Sequence, residues 1–198
     1  LPQSTQEAEK REMMSRISAA LQEYQDNGQV RVHLETGILE FTSVTFPSGS
    51  AEVSLAALTA IRDFSVQLKD YMVENPKMEV LIEGHTDPAP VSSVRNKGGY
   101  FDNNVQLSTL RAANVRDALL NNIGKEYAER IGVAGYGETR LKNKDNPLAE
   151  ENRRISAGGG PASAGRSGLF PDHGTAAGGP AEAGCHPAHE SWPGFPNL

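Results

Sequence analysis

The chain has 198 residues, of which 37% are hydrophobic and 22% are charged, and its formal net charge is −6. This composition predicts one folded domain with a hydrophobic core and additional terminal segments, rather than two full domains. The negative charge without a basic stripe disfavours a nucleic-acid-binding surface, and no apolar run approaches the roughly 20 residues that span a bilayer.

The first predicted element is an amphipathic helix over residues 4–26. Its apolar residues, such as Ile17 and Leu21, recur at spacings of three and four, which predicts a packing or pairing surface. Residues 30–46 then alternate between apolar and polar side chains and turn at Thr36-Gly37. This pattern predicts two short strands or one bent ribbon.

Helices and strands are predicted to alternate through the rest of the folded part. In order, the pattern predicts a helix over 54–73, a strand over 78–83, a long loop over 84–104, a helix over 108–122, a strand over 130–136 and the start of a last strand at 152–156. The predicted fold class is therefore α/β (α+β). It is a two-layer sandwich of β-α-β-α-β order, with the helices on one face of a mixed sheet.

Two oppositely charged residues lie near the ends of predicted elements. Asp87 follows the strand that breaks at Gly84, at the rim of the predicted sheet. With Ser108 as N-cap, Arg111 falls in the first turn of the next helix, where a cation opposes the helix dipole unless it meets an anion. Asp87 and Arg111 could bind the ammonium and the carboxylate of a zwitterion, or they could pair with each other or cap neighbouring backbone.

The C-terminal segment differs in composition from the rest of the chain. Half of the 20 glycines and half of the 12 prolines lie in residues 157–198, which predicts a disordered tail after a folded part that ends near Ser156. The single cysteine, Cys185, excludes an internal disulfide, and its spacing to His189 resembles a metal site only superficially. Because the chain begins at Leu1 without a signal-peptide pattern, we expect a targeting segment upstream.

Five short motifs follow one another across residues 41–156. They are Phe46-Pro-Ser-Gly-Ser-Ala-Glu-Val53, Glu83-Gly-His-Thr-Asp87, Asn104-Val-Gln-Leu-Ser-Thr-Leu-Arg-Ala112, Gly135-Tyr-Gly-Glu138 and Asn152-Arg-Arg-Ile155. In this order they resemble the OmpA-like peptidoglycan-binding domain, which is shared by OmpA, the Pal lipoprotein and the MotB stator protein of flagellar motors. The resemblance implies a non-catalytic module that binds the peptide stems of the cell wall.

The resemblance also implies a ligand site. In this family the Asp of Gly-His-Thr-Asp and the Arg of Leu-Ser-x-x-Arg bind the zwitterionic end of diaminopimelate, and they correspond to Asp87 and Arg111 here. Thr86, Asn104 and Arg153 correspond to further pocket residues. Asn104 could equally bond to its own backbone as a loop residue, and Arg153 could be a solvated strand end.

His85 is the residue in these motifs that suggests an enzyme, for example a hydrolase or amidase that uses His85 and Asp87. No second histidine or acidic cluster stands at ligand spacing, so we interpret His85 as structural. The sequence therefore predicts no catalytic residue, no metal ligand and no cofactor.

Details of the motifs are more similar to the MotB-type stator branch than to Pal. The relevant features are the continuation Asp87-Pro-Ala-Pro-Val91, the insertion before Asn104 and the ending around Pro147. This resemblance implies a homodimer in the periplasm of a Gram-negative bacterium, bound to peptidoglycan and attached to a membrane partner through a segment absent from this chain. The alternatives are an OmpA- or Pal-type tether between outer membrane and wall, and an assembly role for the helix over 4–26.

The resemblance implies three segments and one abnormality. The segments are a linker helix over 1–28, an OmpA-like domain over 29–156 and a disordered Gly/Pro/Ala-rich tail over 157–198 whose composition suggests a frame shift. Where the family continues with an apolar strand after Ile155, this chain continues with Ser-Ala-Gly-Gly-Gly-Pro. We therefore expect the last strand to be shortened and the domain to lose stability.

Overall fold

The computed structural model describes residues 2–47, 49–91 and 101–161. Its helices and strands in chain order are α1 (Pro2–Ala20), α2 (Gln22–Asp26), β1 (Val30–His33), β2 (Ile38–Phe41), α3 (Leu55–Glu74), β3 (Met78–His85), α4 (Asn104–Ile123), β4 (Ile131–Gly135) and β5 (Arg154–Pro161). The tail was predicted over 157–198, but residues 157–161 belong to β5; the rest of it, with its cysteine and histidines, lies outside the described residues. No helix among the described residues combines the length and apolar character that crossing a bilayer requires.

The five strands form one mixed sheet in the order β1-β2-β5-β3-β4. β3 and β4 run parallel, and the other neighbours are antiparallel. Alternate residues of β3, among them Val80 and Ile82, are buried in one hydrophobic core with residues of α3 and α4. Phe41 of β2 meets Phe64 of α3 edge to face, with ring centroids 6.2 Å apart. The predicted α/β class, with helices packed on a mixed sheet, is confirmed.

The N-terminal helix packs into this core. Met14, Ile17 and Leu21 are at most 2% exposed and belong to the same hydrophobic cluster as the sheet and the other helices. α1 contacts α3 and β1. The apolar stripe predicted for residues 4–26 is thus a packing surface, interrupted at Leu21 between α1 and α2.

α4 begins one turn earlier than the sequence analysis placed it. The side chain of Asn103 accepts a hydrogen bond from the backbone N–H of Gln106 (2.9 Å), and Gln106 accepts one from the backbone N–H of Asp102 (2.7 Å). This reciprocal pattern is close to a capping box, and it starts the helix at Asn104. Asn104 is therefore a helical residue rather than the last residue of a loop.

The predicted N-cap, Ser108, lies inside α4. Its hydroxyl donates to the carbonyl of Val105 (2.9 Å) and accepts from the backbone N–H of Gly137 (2.9 Å). Arg111 is consequently the eighth helical residue instead of the third. The prediction that Arg111 opposes the helix dipole in the first turn is wrong, because the dipole effect is confined to the terminal turns.

The last strand is longer than predicted. β5 pairs with β3 from Arg154 opposite His85 to Pro161 opposite Met78, and with β2 on its other edge. The expectation that the strand is cut short after Ile155 is wrong, since ladder hydrogen bonds come from the backbone and do not require apolar side chains. The glycines at 158–160 weaken a strand by entropy, but Gly158 pairs with both β2 and β3, and Gly159 and Gly160 pair with β3.

Two glycines let α4 lie close to the sheet. Gly84 of β3 and Gly135 of β4 are register partners. A Cβ atom at Gly84 would overlap the backbone carbonyl of Ser108, and one at Gly135 would overlap Thr109. Because neither glycine has a side chain, the C-terminal end of β3 lies directly beside the second turn of α4.

Candidate ligand-binding site

A cleft of about 460 Å³ lies where β3 ends, between the loop after β3, the segment after β2 and the first two turns of α4. The five side chains that the sequence analysis assigned to a ligand site all line it: Thr86, Asp87, Asn104, Arg111 and Arg153. These residues come from three separate parts of the chain, and the close packing of α4 on β3 brings them together.

Asp87 is buried at the rim of the sheet, 8% exposed. One carboxylate oxygen, Oδ1, accepts a hydrogen bond from the backbone N–H of Ala89 (3.0 Å), which is an Asx-type turn. The other, Oδ2, accepts one from Nη1 of Arg153 (2.6 Å). The partner of Asp87 is therefore Arg153, and not Arg111 as one of the sequence alternatives had it.

Arg111 is also 8% exposed, and it lies against the segment after β2. Its Nε–H donates to the carbonyl of Ser50 (2.9 Å), and its guanidinium carbon is 4.9 Å from the centroid of the Phe46 ring. Among the described residues, no carboxylate lies within 4 Å of its nitrogen atoms. A buried cation without a carboxylate partner favours an incoming anion.

The pKa of Arg111 is lowered to about 10, mainly by burial and also by the nearby charge of Arg153, while Asp87 opposes both effects. Arg111 therefore remains charged at neutral pH. The direction of the shift indicates that its surroundings do not fully compensate its charge.

Asn104 and Thr86 complete the wall beside Asp87. The side-chain amide of Asn104 donates to the carbonyls of Asp87 (3.3 Å) and Ala89 (3.1 Å), so it holds the loop after β3 rather than bonding to its own backbone. The backbone N–H of Thr86 donates to the carbonyl of Gly137 (2.9 Å). The hydroxyl of Thr86 is buried and has no hydrogen-bond partner among the described residues, which leaves it for a ligand or water.

Arg153 is positioned by the residue before it. Asn152 is fully buried, and its side-chain amide donates to the carbonyls of Asn143, Asn146 and Pro147 at 2.8–3.2 Å. Its Oδ1 accepts from the backbone N–H of Asn143 (2.8 Å). Asn152 thus closes the turn that leads into β5, a role that its place in the Asn-Arg-Arg motif did not reveal.

His85 is 4% exposed and stacks on the ring of Tyr136, with centroids 5.5 Å apart. Its pKa is lowered to about 4, mainly by burial and also by the charges of Arg154 and Arg140, while Glu40 opposes them. The imidazole is therefore neutral at pH 7. Within residues 2–47, 49–91 and 101–161, no three His, Cys, Asp or Glu side chains are grouped closely enough to hold a metal ion.

The segment Phe46–Val53 was quoted as a motif, but its contribution to the site was not predicted. Its backbone is held over α4 by two side chains: Arg111 binds the carbonyl of Ser50, and the amide of Asn114 donates to the carbonyl of Ala51 (2.7 Å). These bonds join residues more than 60 positions apart. No local pattern in the sequence could have indicated them.

The arrangement suits a dipolar ligand. A carboxylate at Asp87 can accept from an ammonium group, and the cation at Arg111 can donate to a carboxylate. Aromatic and aliphatic neighbours such as Phe101 and Leu107 line the same cleft and lower the local polarity around these charges.

Comparison with known proteins finds one family. The model of the OmpA family matches residues 45–154. Motility protein B of Bacillus subtilis is 31% identical over 115 residues, which make up 57% of this chain and 40% of that protein. Outer membrane porin F of Pseudomonas aeruginosa is 38% identical over 93 residues, which make up 46% of this chain and 23% of the porin. The chain therefore spans less than half the length of these curated relatives.

Solved structures share the fold. A MotB-like protein from Desulfovibrio vulgaris superposes with a TM-score of 0.59 at 23% identity, over 79% of this chain and 97% of the other. The cell wall anchor of the T6SS from Pseudomonas aeruginosa superposes with a TM-score of 0.55 at 22% identity, over 71% of this chain and 94% of the other. The predicted resemblance to the OmpA-like family and to its MotB-type branch is confirmed.

Proposed function

Because the chain belongs to the OmpA family, we propose that it is a non-catalytic module that binds peptidoglycan and so anchors a cell-envelope protein to the cell wall. The cell wall anchor of the T6SS, which has the same fold, is consistent with this role. The observation that carries the proposal is the pair of opposite charges in one cleft: a buried carboxylate at Asp87 and a buried guanidinium at Arg111 without a carboxylate partner among the described residues.

The proposed ligand group is the zwitterionic end of diaminopimelate in a stem peptide. Its ammonium binds Asp87, and its carboxylate binds Arg111, whose bond to Ser50 fixes the direction of the guanidinium. The free hydroxyl of Thr86 supplies a further hydrogen bond, while Asn104 holds the loop that carries Asp87. Charge-assisted hydrogen bonds of this kind contribute roughly 1.5–3 kcal/mol each when shielded from water.

We propose further that this module is the periplasmic part of a MotB-like stator in a Gram-negative bacterium. The similarity to Motility protein B supports the stator part of this assignment. A homodimer that binds two stems of one polymer would turn modest single affinities into lasting attachment, since the second contact forms at high effective concentration. The membrane attachment would come from a segment outside this chain.

A second candidate is a tether between the outer membrane and the wall. The 38% identity to outer membrane porin F favours it as specifically as the other relative favours the stator. A single apolar membrane-spanning segment encoded upstream of Leu1 would support the stator and contradict the tether.

Retention on purified peptidoglycan sacculi tests the ligand site. We expect Asp87→Asn and Arg111→Gln each to reduce retention by about tenfold or more, because each removes one charge-assisted contact. Arg111→Lys keeps the charge but loses the planar fork and the bond to Ser50, so it should also bind weakly. Asp117→Asn is the matched control, since Asp117 is exposed on α4.

Two further measurements extend this experiment: retention on a second type of sacculus, and release of soluble muropeptides. Sacculi cross-linked through lysine lack the side-chain carboxylate of diaminopimelate, so they should retain less protein than diaminopimelate-type sacculi. Release of soluble muropeptides from either material would support the hydrolase that His85 suggested. Full retention of both Asp87→Asn and Arg111→Gln would contradict the proposed site.

A further inference from the structure

The carboxylate that the proposed function assigns to a ligand ammonium already has a cation bound to it. Oδ2 of Asp87 accepts from Nη1 of Arg153 at 2.6 Å, and Oδ1 accepts from the backbone of Ala89. The side chain of Asp87 is only 11% exposed, so few lone-pair directions remain for a second cation. An ammonium group that approaches Asp87 must compete with Arg153.

Arg153 is held more loosely than its neighbour. The ion pair with Asp87 is the one side-chain bond that it makes among the described residues, and its side chain is 37% exposed. Arg154, by contrast, is 13% exposed and meets Glu40 (3.6 Å) and the carbonyls of Asn152 and Arg140. Arg153 can therefore swing into solvent by breaking one ion pair, at little cost to its own partly exposed side chain, provided that another cation replaces it at Asp87.

Electrostatic repulsion favours that movement once a zwitterion is present. Arg153 lies close enough to Arg111 for its charge to lower the pKa of Arg111. A ligand that places its ammonium at Asp87 and its carboxylate at Arg111 replaces one long cationic side chain with a compact group. Both buried charges then keep an opposite partner, whereas an unpaired buried carboxylate would carry a large desolvation cost.

We infer that Arg153 is a displaceable counter-ion, which neutralises Asp87 when no ligand is bound and gives way to the ligand's ammonium. The inference rests on the proposed function and reverses the simpler assignment of Arg153 as a ligand contact. It makes Arg153 a residue that limits affinity, so that attachment to the wall stays reversible.

The inference predicts a gain of affinity on removal of the guanidinium. Arg153→Gln should bind a zwitterionic probe roughly two- to fivefold more tightly, because the binding-competent state no longer requires an ion pair to break. Arg153→Lys retains a competing cation and should gain less affinity than Arg153→Gln. In an Asp87→Asn background, Arg153→Gln should no longer increase the affinity, since Arg153 then has no carboxylate with which to form an ion pair.

The experiment is an NMR titration of the full chain with free meso-diaminopimelate. This probe has no net charge at pH 7, so the loss of one positive charge from the protein has no long-range effect on binding. The variants are wild type, Arg153→Gln, Arg153→Lys, Asp87→Asn and the double variant Asp87→Asn/Arg153→Gln. Arg62→Gln, which removes an exposed arginine on α3, is the matched control.

A second measurement needs no variant. The guanidinium protons of Arg153 in the wild-type chain should exchange with water faster at saturating probe than without probe. Weaker or unchanged binding by Arg153→Gln, or undiminished protection of its guanidinium in the saturated wild type, would overturn the inference while the proposed function stands. Absence of binding by the wild type would overturn both.

Discussion

Gly84 on β3 and Gly135 on β4 are partners in the parallel register, and α4 crosses both where Ser108 and Thr109 lie. This contact fixes the distance between the loop that carries Asp87 and the helix that carries Arg111. The geometry of the cleft therefore depends on two positions that have no side chain.

Alanine at Gly84 should destabilise the domain and disturb the cleft. The added Cβ would overlap the backbone carbonyl of Ser108, which cannot turn away as a flexible side chain can. We expect a loss of about 1–3 kcal/mol in the free energy of unfolding, or more, measured by urea denaturation. Gly132→Ala is the control on the neighbouring strand, because its Cβ would lie at an ordinary 3.4 Å from Leu81. Equal stability of the two variants would contradict the account.

Asn152→Asp tests the turn before β5. The carboxylate cannot donate to the carbonyls that Asn152 now binds, and it would bury a charge among them. We expect a loss of about 2–4 kcal/mol in the free energy of unfolding. The exposed Asn146, changed in the same way, should lose little stability. A stable Asn152→Asp variant would show that the turn does not need these bonds.

The lowered pKa of His85 predicts that the stability of the domain depends on pH. Its pKa is lowered from an ordinary value near 6.5 to about 4 by burial and by the charges of Arg154 and Arg140. Between these pKa values the unfolded chain binds a proton that the folded chain does not bind. The contribution of His85 to the free energy of unfolding is therefore complete above pH 6.5 and is lost as the pH falls towards 4. The loss is at most about 3 kcal/mol.

The measurement is the free energy of unfolding at pH 7, 5.5 and 4.5 for wild type and His85→Gln. The glutamine variant does not titrate, so its stability should fall less steeply over this range. Since other acidic groups are shared by both chains, the difference between the two slopes isolates His85. Parallel slopes would mean that the imidazole has the same pKa in the folded and the unfolded chain, which would contradict the shift.

Ile17→Ala tests whether α1 belongs to the folded domain. Ile17 is 2% exposed within the main core cluster, and its truncation should leave a cavity. We expect a loss of about 2–4 kcal/mol in the free energy of unfolding of the whole domain. Glu12→Ala, on the exposed side of the same helix, should change stability little. If α1 is only a linker, Ile17→Ala will unfold at the same denaturant concentration as the wild type.

The sequence was sufficient to predict the order of elements and to select five residues that line one cleft. The pattern of apolar residues located the ends of α3 and β3 to within two residues. In α3 apolar residues recur every three or four positions up to the break before Pro76, and β3 is an apolar run that was predicted to break at Gly84. The motifs placed Asp87 and Arg111 in one site, and the structure brings both into one cleft.

What the sequence did not predict are contacts between distant residues. Both Asn103 and Ser108 are good N-cap residues. The sequence signal that favours Asn103 as the start of α4 is Gln106, three positions later, where a capping box places Glu or Gln. The tertiary bond from Gly137 to Ser108, and the pairing of Asp87 with Arg153, have no local signature. The length of β5 was missed for the same reason, since neighbouring strands rather than its own side chains hold it.

The strand order has a consequence for how the molecule is made. β5 is the last strand in the part of the chain that the structure describes, yet it lies in the interior of the sheet between β2 and β3. A nascent polypeptide that has emerged only as far as β4 therefore carries two open strand edges and an unfinished hydrophobic face. Native assembly must wait for translation to pass residue 161, and until then the partial product is a target for chaperones.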